Sequence, residues 1–584
     1  MTDWKGSEWL MGLRDLHTKS AEDTLTAWLE IIADINERNA TREDGDVSVG
    51  TKLLRSIAHT MSDKAATEMK FNRLLEAYIN EVLPLIEATR EEELEDEDRR
   101  IIVRLNNFFC GLHSLVHYAD VCDKAANENE VTHFGSTEKV PINDPTFRKA
   151  GESAAARTVR EVCKSLSRGG DEKSGVYDKA VTFFRPILKE EFDAHSLPFT
   201  PYLRNRFSIF FHNCSVLYCL YDHLIEFFSV YQSNKLLKAV LFDLQQIFFV
   251  GEIRAIAIIS KLFMAPLWNA IEDRDVDLSA MNGIYSQLLR AFEEASSDPS
   301  VLLRGISPFP DKYLKKDKWW EKVFAPDIRS EAITISTLGI MLPALAIFTK
   351  KNFADHLENG KYASLKPEDV EGVPKHNKLC ERVFGQWDAA KRRSPNKTEL
   401  AIEAKLCFSF NNVSDWLSNL DDESRKQVII QSRAETPAIR QKFKQRQAEL
   451  QKKAEDAMTA KIADIQKKES QRVAELVELD NKVHLLGGVW KTVAEVDAGL
   501  AAVKQGARGG GKGKMVEALK TQINFRRKVL RQRLDDLKLW NFSENRHVFT
   551  VDELSERLKV IIAKLPIPES TNEQSDEVPS ARHE

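Results

Sequence analysis

Asp63 stands where Ser56-Ile-Ala-His-Thr-Met-Ser gives way to Lys64-Ala-Ala, a pattern that predicts a strand running into a helix. A carboxylate at that junction projects from the carboxyl edge of the strand, where α/β sheets present ligands. An Asp after Ser is also a good N-cap for the helix that follows. Glu381 lies on a predicted helix in Lys375-His-Asn-Lys-Leu-Cys-Glu-Arg-Val-Phe-Gly. Taken alone, it reads as a solvated or salt-bridged residue beside Arg382. Cys110, His113, His117 and Asp120 recur at i, i+3, i+7 and i+10, nearly one helical face. Cys and His at such spacing can converge on zinc, but the incomplete face favours packing. His212, Cys214, Cys219 and His223 form a second such set within an aromatic helix.

Other chemistries lack their signatures. The chain has no Walker A sequence, Gly-x-Gly-x-x-Gly, Gly-x-Ser-x-Gly or His-Glu-x-x-His, so a nucleotide is not an expected ligand. Arg508-Gly-Gly-Gly-Lys-Gly-Lys514 lacks phosphate-loop spacing and reads as a basic hinge. A net charge of -5 over 584 residues excludes a globally basic binder, so any nucleic-acid contact must be local. Seven dispersed cysteines suit a reducing compartment, nuclear or cytoplasmic, rather than a disulfide framework. The start of the chain lacks signal-peptide architecture. Ala332 to Thr349 is uncharged but diluted by three Thr, one Ser, one Gly and Pro343, so a core helix is expected there and no membrane contact.

The elements follow from periodicity. A strand is expected at 9–18, then a helix opened by Ser20 with Leu25, Trp28, Leu29, Ile32 and Ile35 on one face. A strand at 54–61 and a helix from Lys64 to about Leu83 come next, followed by the acidic run 91–98, read as a solvated face. Residues 101–117 read as a strand passing into a helix. The alternation suggests a mostly parallel sheet. From about 135 the chain reads as helices at 150–167, 176–194, 203–232, 235–269, 281–297 and 331–356. Aromatics across 207–249, including Phe210, Phe211, Tyr218, Phe227, Phe228 and Phe249, read as core in preference to a base-stacking platform. Gly372-Val-Pro374 marks a boundary, and helices are expected at about 375–393 and 398–420. A long helix from Pro437 to Val483 carries ten Lys or Arg against five acids over 438–473. Its thin stripe (Ile439, Phe443, Leu450, Ala454, Met458, Ile462, Ile465) suits a coiled coil or a partner helix. After a hinge at 506–513, residues 515–539 are again basic and amphipathic, a helix covers 551–564, and the tail is polar.

Three short blocks carry a resemblance. Thr60-Met-Ser-Asp63-Lys-Ala-Ala, Phe108-Phe-Cys-Gly-Leu-His113-Ser-Leu-Val and Cys380-Glu381-Arg-Val-Phe-Gly resemble, in order, segments of hAT-like transposases over about 10–415. The likeness extends to transposon-derived animal proteins with a helical insertion and basic C-terminal helices. It implies an incomplete RNase H-like mixed sheet, interrupted by a large all-helical insertion and followed by long basic helices: α/β plus mostly α. The implied domains are a partial RNase H-like region at 1–134, an insertion at 135–373 and completing helices at 374–436. A basic coiled coil at 437–485, a helical region at 486–567 and a disordered tail at 568–584 follow.

In the family, Asp63 and Glu381 would be acids of a Mg²⁺-dependent strand-transfer centre, with Cys110 and His113 in support. A first family Asp would lie two strands ahead of residues 9–18. Only eight residues precede them, and neither Asp3 nor Asp15 fits, so catalytic incompetence is expected. Non-specific DNA contact is expected from Lys442, Lys444, Arg446, Arg526, Arg527, Lys528 and Arg531. The alternative is a scaffold that self-associates or binds a helical protein.

Overall fold

The computed structural model describes residues 1–567 apart from 4, 41–48, 83, 85–104, 172, 203–207, 507–510 and 545–546. The acidic run 91–98, half of the hinge at 506–513 and the polar tail therefore lie outside the described residues. The protein is mostly helical with little sheet. It divides into two units, Met1–Phe443 and Lys444–Glu584.

In the first unit, α1 (Ala21–Ala40) opens on Ser20, whose hydroxyl accepts from Asp23 N at 3.1 Å. The Asp23 carboxylate in turn accepts from Thr18 N at 2.8 Å. Next come α2 (Val49–Arg55), β1 (His59–Ser62) and α3 (Ala66–Ala77). Ile32, Leu54, Phe71 and Leu75 pack into a small core shared by the three helices. β2 (Asn106–Phe109) pairs in parallel with β1, His59 opposite Asn106 and Ser62 opposite Phe109. The outer face of β2 meets Tyr362, whose hydroxyl accepts from Asn107 N at 2.9 Å.

The large core lies between residues 110 and 353. It contains α4 (Gly111–Phe134), α5 (Ala154–Leu166), α6 (Tyr177–Phe192), α7 (Ile209–Cys219) and α8 (Tyr221–Val230). It continues through α9 (Lys235–Leu244), α10 (Ile247–Ile259), α11 (Ala265–Glu272), α12 (Met281–Ser297), α13 (Lys318–Phe324) and α14 (Glu331–Asn352). The aromatic residues Phe210, Phe211, Tyr218, Phe227, Phe228 and Phe249 are buried, as side chains at helical spacing on interior helices should be. Among the described residues α14 is the one helix long and apolar enough to cross a membrane. It packs on α4, α12 and α10, burying Leu338, Met341, Leu342 and Leu345.

α15 (Lys378–Arg393) and α16 (Glu399–Phe410) pair around Val383, Ile402 and Leu406, and α17 (Val413–Ser418) follows. α18 (Asp422–Leu485) begins well before Pro437, which sits inside it, so the expected start at Pro437 is corrected. Asp421 fixes the earlier start, its Oδ1 accepting from Glu423 N at 3.1 Å and Ser424 N at 2.9 Å. In the second unit, α19 (Val493–Gln505), α20 (Lys512–Lys528) and α21 (Val551–Lys564) enclose Trp490, Val496, Leu519, Ile523, Leu558 and Ile561. A two-residue hairpin, β3 (Ser543–Glu544) with β4 (His547–Val548), lies before α21.

Two further expectations are corrected. Residues 9–18 form no strand. Two of their backbone donors are satisfied by side chains of and beside α16, Leu10 N by Asn411 Oδ1 at 2.8 Å and Leu13 N by Glu403 Oε1 at 2.9 Å. The expected strand at 54–61 is shorter and later: residues 54–55 end α2, and β1 covers 59–62.

Candidate functional site

β1 and β2 end side by side, and three residues at those ends define the site. Asp63 follows β1; Cys110 follows β2 and leads into α4, which carries His113. Asp63 is not the cap of α3. The N-cap is Ala65, and Asp63 Oδ1 accepts from Ala65 N at 2.9 Å, closing the turn just outside the helix. Among the described residues this is the one hydrogen bond its carboxylate makes.

Glu381 arrives from the far side of the helical core. The segment ahead of α15 docks on the end of β2: Gly111 N donates to Lys375 O at 3.0 Å, and Asn377 N to Cys110 Sγ at 3.4 Å. Glycine at 111 permits this close approach, since a Cβ there would lie 3.0 Å from Ile271 Cδ1 and 3.3 Å from Lys375 O. Lys375 is buried and donates its ammonium protons to the carbonyls of Asp273 and Val276, pinning the segment to the end of α11. Cys110 is thus a packing residue whose sulfur takes a backbone N–H, and burial pushes its thiol up.

This docking brings the two sequence-distant acids to one imidazole. Burial pushes the His113 pKa down, and the carboxylates of Asp63 and Glu381 both pull it back up, with His117 opposing them. Burial raises the Glu68 carboxyl on α3, and Asp63 raises it further. Cys380 is raised first by burial, with the chain's amino group opposing and Glu381 and Glu68 adding to the effect. Beside the acids a small cleft is lined by Lys64, His113, His117, Asp355 and His356. Burial lowers the Lys64 pKa while Asp355 opposes it, and its ammonium bonds Asn352 O and lies 4.7 Å from the Phe109 ring centre.

Chemically, the site offers two carboxylates that both act on the charge of one half-buried imidazole. Mg²⁺ takes carboxylate oxygens and keeps several waters. Among the described residues, however, no group of three or more His, Cys, Asp or Glu is arranged to hold a metal ion. The donor set falls short of a strand-transfer centre, and no metal-dependent step is derived from it.

The expected basic contacts fare unequally. In the first unit Lys442 is engaged by Asp34 at 2.5 Å and Glu37 at 2.7 Å, so its role as a free phosphate contact is corrected. Those acids lie on α1, some four hundred residues earlier. In the second unit Arg526 is fully buried, donating to Trp490 O at 2.8 Å and Leu565 O at 3.2 Å, and its nucleic-acid role is likewise corrected. Lys444, Arg527 and Arg531 are exposed, Arg446 is half-buried, and Lys528 pairs with Glu475 at 3.3 Å. The docking residues Lys375 and Asn377 were not singled out from sequence, since nothing local distinguishes a lysine that will bond carbonyls from a solvated one. No family model, curated protein or solved structure matches this chain.

Proposed function

We propose that this chain is a transposase-derived protein built on an RNase H-like frame of the hAT type, and that it binds nucleic acid without sequence preference in the nucleus or cytoplasm. The carrying observation is that Asp63, just past the end of β1, and Glu381, on α15, both act electrostatically on His113 beside the end of β2. The two acids are 318 positions apart in the chain, and the return of the chain after the helical region is fixed by the hydrogen bond from Gly111 N to Lys375 O. In this reading residues 135–373 are the insertion, and 374–436 bring in the last acid. Asp63 and Glu381 are then the remnants of an ancestral metal site, and backbone contact is the retained activity.

The test is retention of duplex DNA across a salt series. Backbone binding gives retention at low salt that falls steeply as salt rises. Absence of retention at low salt overturns the binding reading. Mg²⁺-dependent nicking, abolished by Asp63→Ala and by Glu381→Ala, overturns the loss of catalysis.

A second reading, a scaffold that self-associates, is favoured by one observation. Met458, Ile462 and Ile465 are exposed on α18 at spacings of four and three. That is the spacing of a coiled-coil seam.

A further inference from the structure

We propose that the groove between α15 and α16 is a contact site for the phosphate backbone of a nucleic acid. The inference rests on the binding reading above and locates it on a surface outside the C-terminal basic helices. The floor of the groove is apolar, formed by Ala390, Ile402 and Leu406. Ile402 and Leu406 are anchored in the small core around Val383, so the floor is rigid. Around it stand Arg393 at the end of α15, Lys397 in the connecting turn and Lys405 on α16, all exposed.

The charge of this rim is not cancelled by its neighbours. Asp388 bonds Arg392, Glu399 bonds Lys391 at 3.0 Å, and Glu403 bonds Arg14 at 2.6 Å. Asp15 lies against Glu399 and pushes its carboxyl up. Every acid of the two helices facing this end is thereby engaged. Among the described residues, Arg393, Lys397 and Lys405 form no ion pair. Three uncompensated cations around an apolar floor suit a polyanion whose phosphates meet the rim while its sugars and bases cover the floor. The groove shares a helix with the site already described. Glu381 and Arg393 share α15, and twelve residues of helix at 1.5 Å each separate them by about 18 Å along its axis. That is roughly five base steps of duplex at 3.4 Å per step.

The experiment is fluorescence anisotropy of the full chain with labelled single-stranded and duplex oligonucleotides over a salt series. Arg393→Gln/Lys397→Gln/Lys405→Gln is compared with Arg527→Gln/Lys528→Gln/Arg531→Gln. The groove variant is expected to lower the slope of log K against log salt by about 2–3, with unchanged circular dichroism. Lys397→Arg/Lys405→Arg is expected to keep the slope, since the charge is preserved. An unaltered slope in the groove variant, with a fall in the C-terminal variant, overturns the groove and leaves the binding reading standing. No binding by the unaltered chain at low salt overturns both. Poly-glutamate bound as tightly as the oligonucleotides, and lost in the groove variant, overturns nucleic acid as the ligand class.

Discussion

Arg157 and Asp243 form the most demanding charge pair in the helical core. Two hydrogen bonds of 2.9 Å join them, and their side chains are 5% and 3% exposed. Arg157 also donates to Pro141 O at 3.0 Å, so its guanidinium is held by a carboxylate and a carbonyl together. Removing one partner of a buried pair leaves the other charge uncompensated, which typically costs about 3–5 kcal/mol. Asp243→Asn is accordingly expected to lower the free energy of unfolding by that order, measured by urea unfolding; a change under about 0.5 kcal/mol would place the pair among ordinary surface contacts. At this scale the sequence was only partly legible. Arg526 reads as one of three consecutive cations, yet Leu519, Ile523 and Arg526 stand at spacings of four and three, and all three are buried. The facial pattern carried the information and the charge run concealed it. Lys442 offered no such signal, because its acids lie on a helix remote in the chain.

Among the long helices, α18 has little buried surface for its length: over Asp422–Leu485, Val483 is its one buried residue. Met458, Ile462 and Ile465 are 66%, 46% and 57% exposed, a strip that a second helix would cover. If self-association uses this strip, Ile462→Asp/Ile465→Asp should weaken the dimer at least about a hundredfold, since burying one Ile contributes about 1.5–3 kcal/mol. Sedimentation at several concentrations reads this directly. A monomer at all concentrations in the unaltered chain removes the scaffold reading. The helices of the core were legible because their apolar residues repeat at helical spacing over many turns. Residues 9–18 misled because alternation fits an extended segment whether or not a strand lies beside it, and here Asn411 and Glu403 supply the acceptors. The candidate site divided in the same way. The strand-to-helix junction at Asp63 was legible locally, while the approach of Glu381 depends on Lys375, Asn377 and Gly111.

The molecule as a whole carries a pH response in its helical core. Glu130 on α4 accepts from Ala154 N at 2.6 Å and Ala155 N at 3.3 Å, and Glu252 on α10 accepts from Asn129 Nδ2 at 3.0 Å. Burial pushes Glu130 up to about 7, the backbone donors and Arg157 opposing, while burial and then Glu130 raise Glu252, with Asp123 adding to the effect. A carboxyl raised in the folded state stabilises the fold below its unfolded pKa, and that contribution is lost as pH rises through the folded value. The contribution of Glu130 to stability should therefore fall between about pH 5 and pH 7. Glu252→Gln, which removes one of the two charges, should gain on the parent by about 1–3 kcal/mol across that window. Melting temperatures of both proteins at several pH values check this, and a constant difference would show that the pair does not titrate there.

The docking of residues 375–377 on the end of β2 has a consequence during synthesis. Asp63 leaves the ribosome roughly 300 residues before Glu381, an interval of about 15–60 s at 5–20 residues per second. Gly111–Asn352, which holds its own core, emerges in between. The nascent chain thus has time to fold that core first, making it the template against which the second acid is delivered.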